Sequence, residues 1–127
     1  MKVERSRQGE HTVIRLRGSI ALGETTQTLA AELGQAEKEG TGGTVVDLSE
    51  LRSLDSTALG LLVGSLRRLR AVGRELTLVN PNENVGMLLH MTQLDSVFPI
   101  RPTVAAALEL LDHAQEGEKG GGPVQRL

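Results

Sequence analysis

Cysteine is absent from the 127-residue chain, and Phe98 is its only aromatic residue. The absence of cysteine excludes disulfides, thiolate chemistry and cysteine-bound zinc. The near absence of aromatic rings removes the stacking surfaces that proteins use to hold nucleic-acid bases. The core must therefore be built from aliphatic side chains.

The chain also lacks a strong charge of either sign and a long hydrophobic run. Its formal net charge of -2 gives no field that would gather nucleic acid or an anionic membrane. Its first residues, MKVERSRQGE, are charged, and no later apolar run approaches the length of a membrane span. We expect no nucleic-acid partner, no direct membrane insertion and a cytoplasmic location.

What the chain does contain is the composition of one soluble domain, with 39% apolar and 24% charged residues. We place this domain at residues 1–113. The segment 114–127, which ends EGEKGGGPVQRL, is rich in glycine and is predicted to be a flexible C-terminal tail.

Hydrophobic periodicity predicts alternating strands and helices. A hairpin with a turn near Gly9 is followed by a loop over 18–23 and a helix that ends near Glu39. The apolar run 44–48 is typical of a buried strand, and a helix over 56–72 and a strand over 75–79 follow it closely. This order is a βαβ unit, which places the two strands in parallel.

The rest of the domain predicts a short helix around Val85, a brief edge strand over 97–100 that contains Pro99, and a last helix from Thr103. The fold class is therefore α/β, with a mixed sheet of four or five strands and about four helices packed against it.

Sequence signatures of catalysis are missing. His11, His90 and His113 are far apart in sequence, and none has an acid or a second histidine at metal-ligand spacing. No glycine-rich nucleotide motif occurs. Three acids beside Lys38 (Glu32, Glu37 and Glu39) are typical of a solvated helix face. We expect a protein that is not an enzyme and that uses neither metal nor cofactor.

The most informative segment is the polar triplet Asp55-Ser56-Thr57 at the start of the main helix. One interpretation is structural, because all three residue types are preferred N-caps. The other is regulatory: a phosphate on Ser56 would lie among free amide groups at the positive end of the helix dipole, so the helix could carry it without unfolding.

The outward face of the same helix carries side chains that are mostly small and partly apolar over its first turns. A turn of about 100° per residue places seven residues there: Thr57, Gly60, Leu61, Gly64, Arg67, Arg68 and Ala71. Leu61 between two glycines invites close approach by a partner backbone, but the glycines could equally serve internal packing. The four arginines near the helix end (Arg67, Arg68, Arg70 and Arg74) are typical of a solvated C-terminus.

These segments resemble the STAS family, specifically the free-standing anti-sigma-factor antagonists, over roughly residues 3–112. The resemblance rests on RLRGSI, on VVDLSELRSLDSTALGLLVG, on ELTLVNPNENV and on MLLHMTQLDSVFPI. It departs from the family pattern where GSIALG lacks an aspartate near Ala21 or Leu22, and at Ala58 and Gln93, where glycine is common.

The resemblance implies an anti-sigma-factor antagonist, a bacterial protein that binds an anti-sigma factor with serine kinase activity and releases a sigma factor. Phosphorylation of Ser56 by that kinase ends the binding, and a phosphatase of the PP2C type reverses it. Thr57 is a secondary candidate acceptor. The polar triplet and the outward face of the helix together give six candidate residues for partner binding: Asp55, Ser56, Thr57, Gly60, Leu61 and Gly64.

Two other functions stay open. The same fold serves as a scaffold subunit, for example in a stressosome or in a lipid ABC transporter. A phosphoaspartate receiver that uses Asp47 or Asp55 is less favoured, because the strand that ends Arg15-Leu16-Arg17-Gly18 lacks the acidic pair that holds magnesium.

Overall fold

A computed structural model describes residues 2–20 and 24–121, without the side chains of residues 19–20, 24–25 and 114–121. A 3₁₀ turn (Leu94–Ser96) precedes the last strand. The strands and helices are β1 (Lys2–Gln8), β2 (His11–Ile20), α1 (Glu24–Lys38), β3 (Thr44–Leu54), α2 (Ser56–Ala71), β4 (Leu76–Val79), α3 (Glu83–Met91), β5 (Ile100–Arg101) and α4 (Val104–Gly121).

The strands form a five-stranded mixed sheet in the order β1-β2-β3-β4-β5. The β1–β2 pair is the predicted antiparallel hairpin, and its turn contains Gly9 at a φ of 64°. All other neighbouring strands are parallel, with β3 and β4 joined through α2 as the βαβ pattern predicts. The predicted α/β class and the mixed sheet are confirmed.

Strand alternation divides the core between the two faces of the sheet. On one face, Ile14, Val46 and Leu78 belong to a large cluster that includes the buried sides of α1, α2 and α3. On the other face, Val13, Val45 and Val79 pack against Ala107 and Leu111 of α4. Three helices therefore cover one face, and α4 covers part of the other.

The paired ends of β2 and β3 are longer than the sequence predicts. The predicted loop over 18–23 is wrong for its first residues, because β2 continues to Ile20, and residues 21–23 lie outside the described part. β3 runs to Leu54 rather than ending at Leu48. The strands stay paired through two register irregularities, at Arg15/Arg17 and at Gly18/Ser19, which the sequence pattern does not reveal.

The C-terminal third differs from the prediction at two points. The strand expected over 97–100 begins only at Ile100, and it lies at the sheet edge as expected. α4 continues to Gly121, eight residues past the predicted domain end at residue 113. The remaining predicted tail, residues 122–127, lies outside the described part. Among the residues that are described, no helix has the length and apolarity to span a membrane.

Candidate functional site at the start of helix α2

Asp55 is the N-cap of α2. Its backbone is extended, and its Oδ1 accepts a hydrogen bond from the amide of Ala58 over 2.8 Å. The amide of Leu59 donates to the Asp55 carbonyl and begins the regular helical pattern. Of the three polar residues of the triplet, the structure thus gives the capping position to Asp55.

Ser56 is the first residue of the helix, and its side chain is exposed, as is that of Thr57. Within the described ranges, neither hydroxyl has a hydrogen-bond partner. The amides of Ser56 and Thr57 lie at positions where no intrahelical acceptor exists. The Ser56 hydroxyl is therefore open to solvent beside two backbone donors at the positive end of α2.

The outward face of α2 is open at Gly60 and closed around Leu61. A Cβ atom built at Gly60 would meet no atom within 4 Å, whereas one at Gly64 would lie 3.2 Å from the guanidinium of Arg68. Leu61 is partly buried and packs against the large core cluster. Gly60 thus has no internal packing reason to be glycine, while Leu61 contributes to the core.

Asn82 fixes the end of β3 that leads into α2, a contact that the sequence pattern does not predict. Its Nδ2 donates to the carbonyls of Leu51 and Arg52 over 3.0 and 3.1 Å, and its Oδ1 accepts from the Val85 amide as the N-cap of α3. The Pro81-Asn82 break before Val85 is an N-cap signal that could have identified it. One amide side chain thereby ties the start of α3 to the strand end that presents Ser56.

A clamp formed by Glu37 of α1 with Ser65 and Arg68 of α2 joins the two helices. Glu37 accepts hydrogen bonds from Ser65 Oγ over 2.7 Å and from Arg68 Nε over 2.6 Å. Burial raises the pKa of Glu37, but these two hydrogen bonds together with the positive charges of Arg68 and Arg74 outweigh it and hold the pKa below its ordinary value. The predicted solvated acidic face does not extend to Glu37, whose side chain is only 17% exposed, whereas Glu32 and Glu39 pair with Arg5 at the surface.

The arginines near the end of α2 contact other elements, but three of them, Arg67, Arg68 and Arg70, are exposed, as predicted for a solvated helix end, and only Arg74 is partly buried. Arg70 pairs with Glu75 and donates to the Val97 carbonyl. Arg74 donates to four carbonyls near the end of α1, those of Ala36, Glu37, Glu39 and Gly42. Arg67 is exposed and, in the described part of the chain, has no ionic partner.

Asp47 is held in place by its neighbours. Its carboxylate accepts from Arg15 Nε over 3.0 Å and from the amide and hydroxyl of Ser49. Burial raises the pKa of Asp47, but the bonds from Ser49 and Arg15 lower it more, and the net pKa is depressed. With Asp47 paired and Asp55 capping α2, the geometry gives both aspartates structural contacts.

All three histidines lie near an acidic side chain, and His113 Nε2 is 4.0 Å from Glu109 Oε1 on the same helix. Buried His11 accepts from the Gly43 amide at Nδ1 and lies 2.7 Å from Asp112 Oδ1 at Nε2, which joins the β-hairpin to α4. His90 lies 2.9 Å from Asp95 at the surface. Among residues 2–20 and 24–121, no group of three or more acidic or histidine side chains could hold a metal ion.

Comparisons with known proteins agree with this geometry. The family model of the STAS domain matches residues 2–107. A Thermotoga neapolitana protein named as a homologue of the anti-sigma factor antagonist TM1081 is 42% identical over 49% of this chain, and the match reaches only 55% of that relative. The anti-sigma-B factor antagonist of Staphylococcus aureus is 26% identical over 79% of this chain and 92% of its own.

Solved structures share the fold. The anti-sigma factor antagonist SpoIIAA in its unphosphorylated form superimposes with a TM-score of 0.77 at 23% identity, covering 88% of this chain and 97% of that one. At 23% sequence identity, this structural similarity shows a shared fold and no more.

Proposed function

The chain belongs to the STAS domain family, and from that premise we propose that it is an anti-sigma-factor antagonist. It binds an anti-sigma factor that is also a serine kinase and so releases a sigma factor for transcription. Phosphorylation of Ser56 by that kinase ends the binding, and a PP2C-type phosphatase restores it. This activity is protein binding in the cytoplasm, without catalysis by the chain itself.

One observation carries the proposal: the Ser56 hydroxyl is exposed at the start of α2, while the neighbouring Asp55 caps the helix. A kinase can therefore reach Ser56 without breaking the cap. The names of the relatives from Thermotoga and Staphylococcus support the same function, since both are anti-sigma factor antagonists by name.

In the proposed transfer, Ser56 Oγ forms a bond to the γ-phosphorus of the ATP bound to the kinase. The bond from that phosphorus to the bridging oxygen breaks, ADP leaves, and the hydroxyl proton passes to a base of the kinase. The product carries close to two negative charges and stays compatible with the helix, because amide donors and the helix dipole surround it. The modification thus changes the surface rather than the fold.

The proposed binding face consists of Asp55, Ser56, Thr57, Gly60, Leu61 and Gly64. The absence of a side chain at Gly60 lets a partner backbone approach α2 closely. A phosphate in such an interface costs desolvation energy and space where a neutral hydroxyl fitted before. Unmodified protein therefore binds and modified protein does not.

Mass spectrometry of the protein from its native source tests the proposal first. Trypsin releases the peptide 53–67, which contains both candidate acceptors, Ser56 and Thr57. We expect phosphate on Ser56 that varies with growth condition. Purified unmodified protein should bind an anti-sigma kinase of its host, and failure to bind any of them would reject the function.

A further inference from the structure

A cavity of about 490 Å³ opens at the far end of α2 from Ser56. It lies between the turn that joins α2 to β4, strand β5 and helix α4. Its volume is within the range of small-molecule sites. Since α2 has 16 residues, the cavity is roughly 24 Å from Ser56 and outside the proposed binding face.

The cavity wall combines apolar and cationic side chains. Pro99, Leu110 and Leu111 supply apolar surface. Three arginines and one acid complete the charged part of the wall: Arg70, Arg74, Arg101 and Glu75. A site with this composition suits a ligand that has an apolar body and a negative group.

The hydrogen bonds decide which of these cations is available. Arg70 forms a bidentate ion pair with Glu75, which neutralises its charge. The guanidinium of Arg74 donates hydrogen bonds to carbonyls near the end of α1. Arg101 donates from one terminal nitrogen to the neighbouring Ile100 carbonyl over 2.8 Å, and in the described part of the chain it pairs with no carboxylate. Arg101 is therefore the cation that keeps donors free for a ligand.

We propose that this cavity binds a small amphiphilic anion. The guanidinium of Arg101 holds the carboxylate, and the alkyl body lies against Pro99, Leu110 and Leu111. One uncommitted cation matches one negative charge, which favours a monocarboxylate over a polyphosphate. The site is independent of the proposed Ser56 phosphorylation.

A pair of probes of equal length separates the charge from the apolar body. The ¹⁵N-labelled full chain is titrated with octanoate and, separately, with octan-1-ol, and amide shifts are followed by NMR. We expect saturable shifts for octanoate at Gly73, Arg101, Leu110 and Leu111, and about fivefold weaker binding of octan-1-ol. Absence of saturable shifts at these residues, or equal affinity for both probes, would overturn the proposal.

Two variants locate the contact. Arg101→Gln should weaken octanoate about fivefold and leave octan-1-ol unchanged, and Leu110→Glu should weaken octanoate more than octan-1-ol because it places a like charge in the wall. Arg67→Gln, which changes an exposed arginine on α2 that does not line the cavity, is the matched control and should bind as wild type. Unchanged octanoate binding by both cavity variants would reject the site and leave the function of Ser56 untouched.

Discussion

Asp55 Oδ1 accepts a hydrogen bond from the Ala58 amide over 2.8 Å, and the neighbouring Ser56 side chain takes no part in this bond. The acid beside the candidate acceptor is thus the residue that holds the helix start. Stability and regulation are thereby assigned to adjacent side chains, and substitutions can separate them.

Asp55→Ala should lower the free energy of unfolding by about 1 kcal/mol, because the Ala58 amide loses its acceptor. Asp55→Asn keeps an acceptor oxygen and should stay within about 0.5 kcal/mol of wild type. Ser56→Ala should also change the free energy of unfolding by no more than about 0.5 kcal/mol. Urea unfolding measures all three, and a larger loss for Ser56→Ala than for Asp55→Ala would mean that Ser56 is the cap.

Ser56→Ala should bind the anti-sigma kinase and resist inactivation by ATP, because the acceptor oxygen is gone and the surface stays neutral. Ser56→Asp should bind at least about tenfold more weakly, although one carboxylate imitates a phosphate only partly. Isothermal titration calorimetry with and without prior incubation in ATP checks both. Tight binding by Ser56→Asp would contradict the proposed mechanism, and phosphate on Thr57 in the alanine variant would make Thr57 a second acceptor.

Gly60→Ala should stabilise the fold by up to about 1 kcal/mol and weaken partner binding. The new methyl group meets nothing within the protein and raises helix propensity, but it occupies the space through which a partner backbone approaches. Gly34→Ala on α1 is the matched control, since its Cβ also meets nothing within 4 Å. It should stabilise similarly without changing affinity. Equal affinity of both variants would remove Gly60 from the binding face.

Acid should weaken the clamp between α1 and α2. Because the folded pKa of Glu37 lies below its unfolded value, the clamp contributes fully above about pH 5 and is lost as pH falls through the folded pKa. Glu37→Gln should cost on the order of 1 to 2 kcal/mol at pH 7 and reduce the loss of stability between pH 7 and pH 3. Urea unfolding at both pH values checks this, with exposed Glu10→Gln as the control. An unchanged pH dependence in Glu37→Gln would mean that the clamp does not supply it.

Most helices and strands could be predicted from the sequence, because each is marked by a hydrophobic pattern within a short stretch of residues. The apolar periodicity of α2 and the continuous apolar run that begins β3 are visible in a short window. The extension of β3 to Leu54 is different: Leu51 and Leu54 recur at a spacing of three, which is not the alternation of a strand. Irregular pairing with β2, rather than strand propensity, keeps that segment in the sheet.

Side-chain pairs that join different helices and strands could not be predicted from local sequence patterns. Glu37 and Arg68 are 31 residues apart, and His11 and Asp112 are 101 apart, so only the packing of whole elements brings them together. The start of α2 was predictable because capping chemistry is encoded within four residues, although the sequence could not decide which of the three polar side chains is the cap.

The strands lie in the sheet in the order in which they occur in the chain. During synthesis from the amino end, each new strand leaves the ribosome when its neighbour has already been made, and no strand has to enter between two that are paired. α4 emerges last, and until it docks the apolar surface of Val13, Val45 and Val79 stays uncovered. A nascent domain whose α4 has not yet docked would therefore expose an apolar sheet face to other proteins.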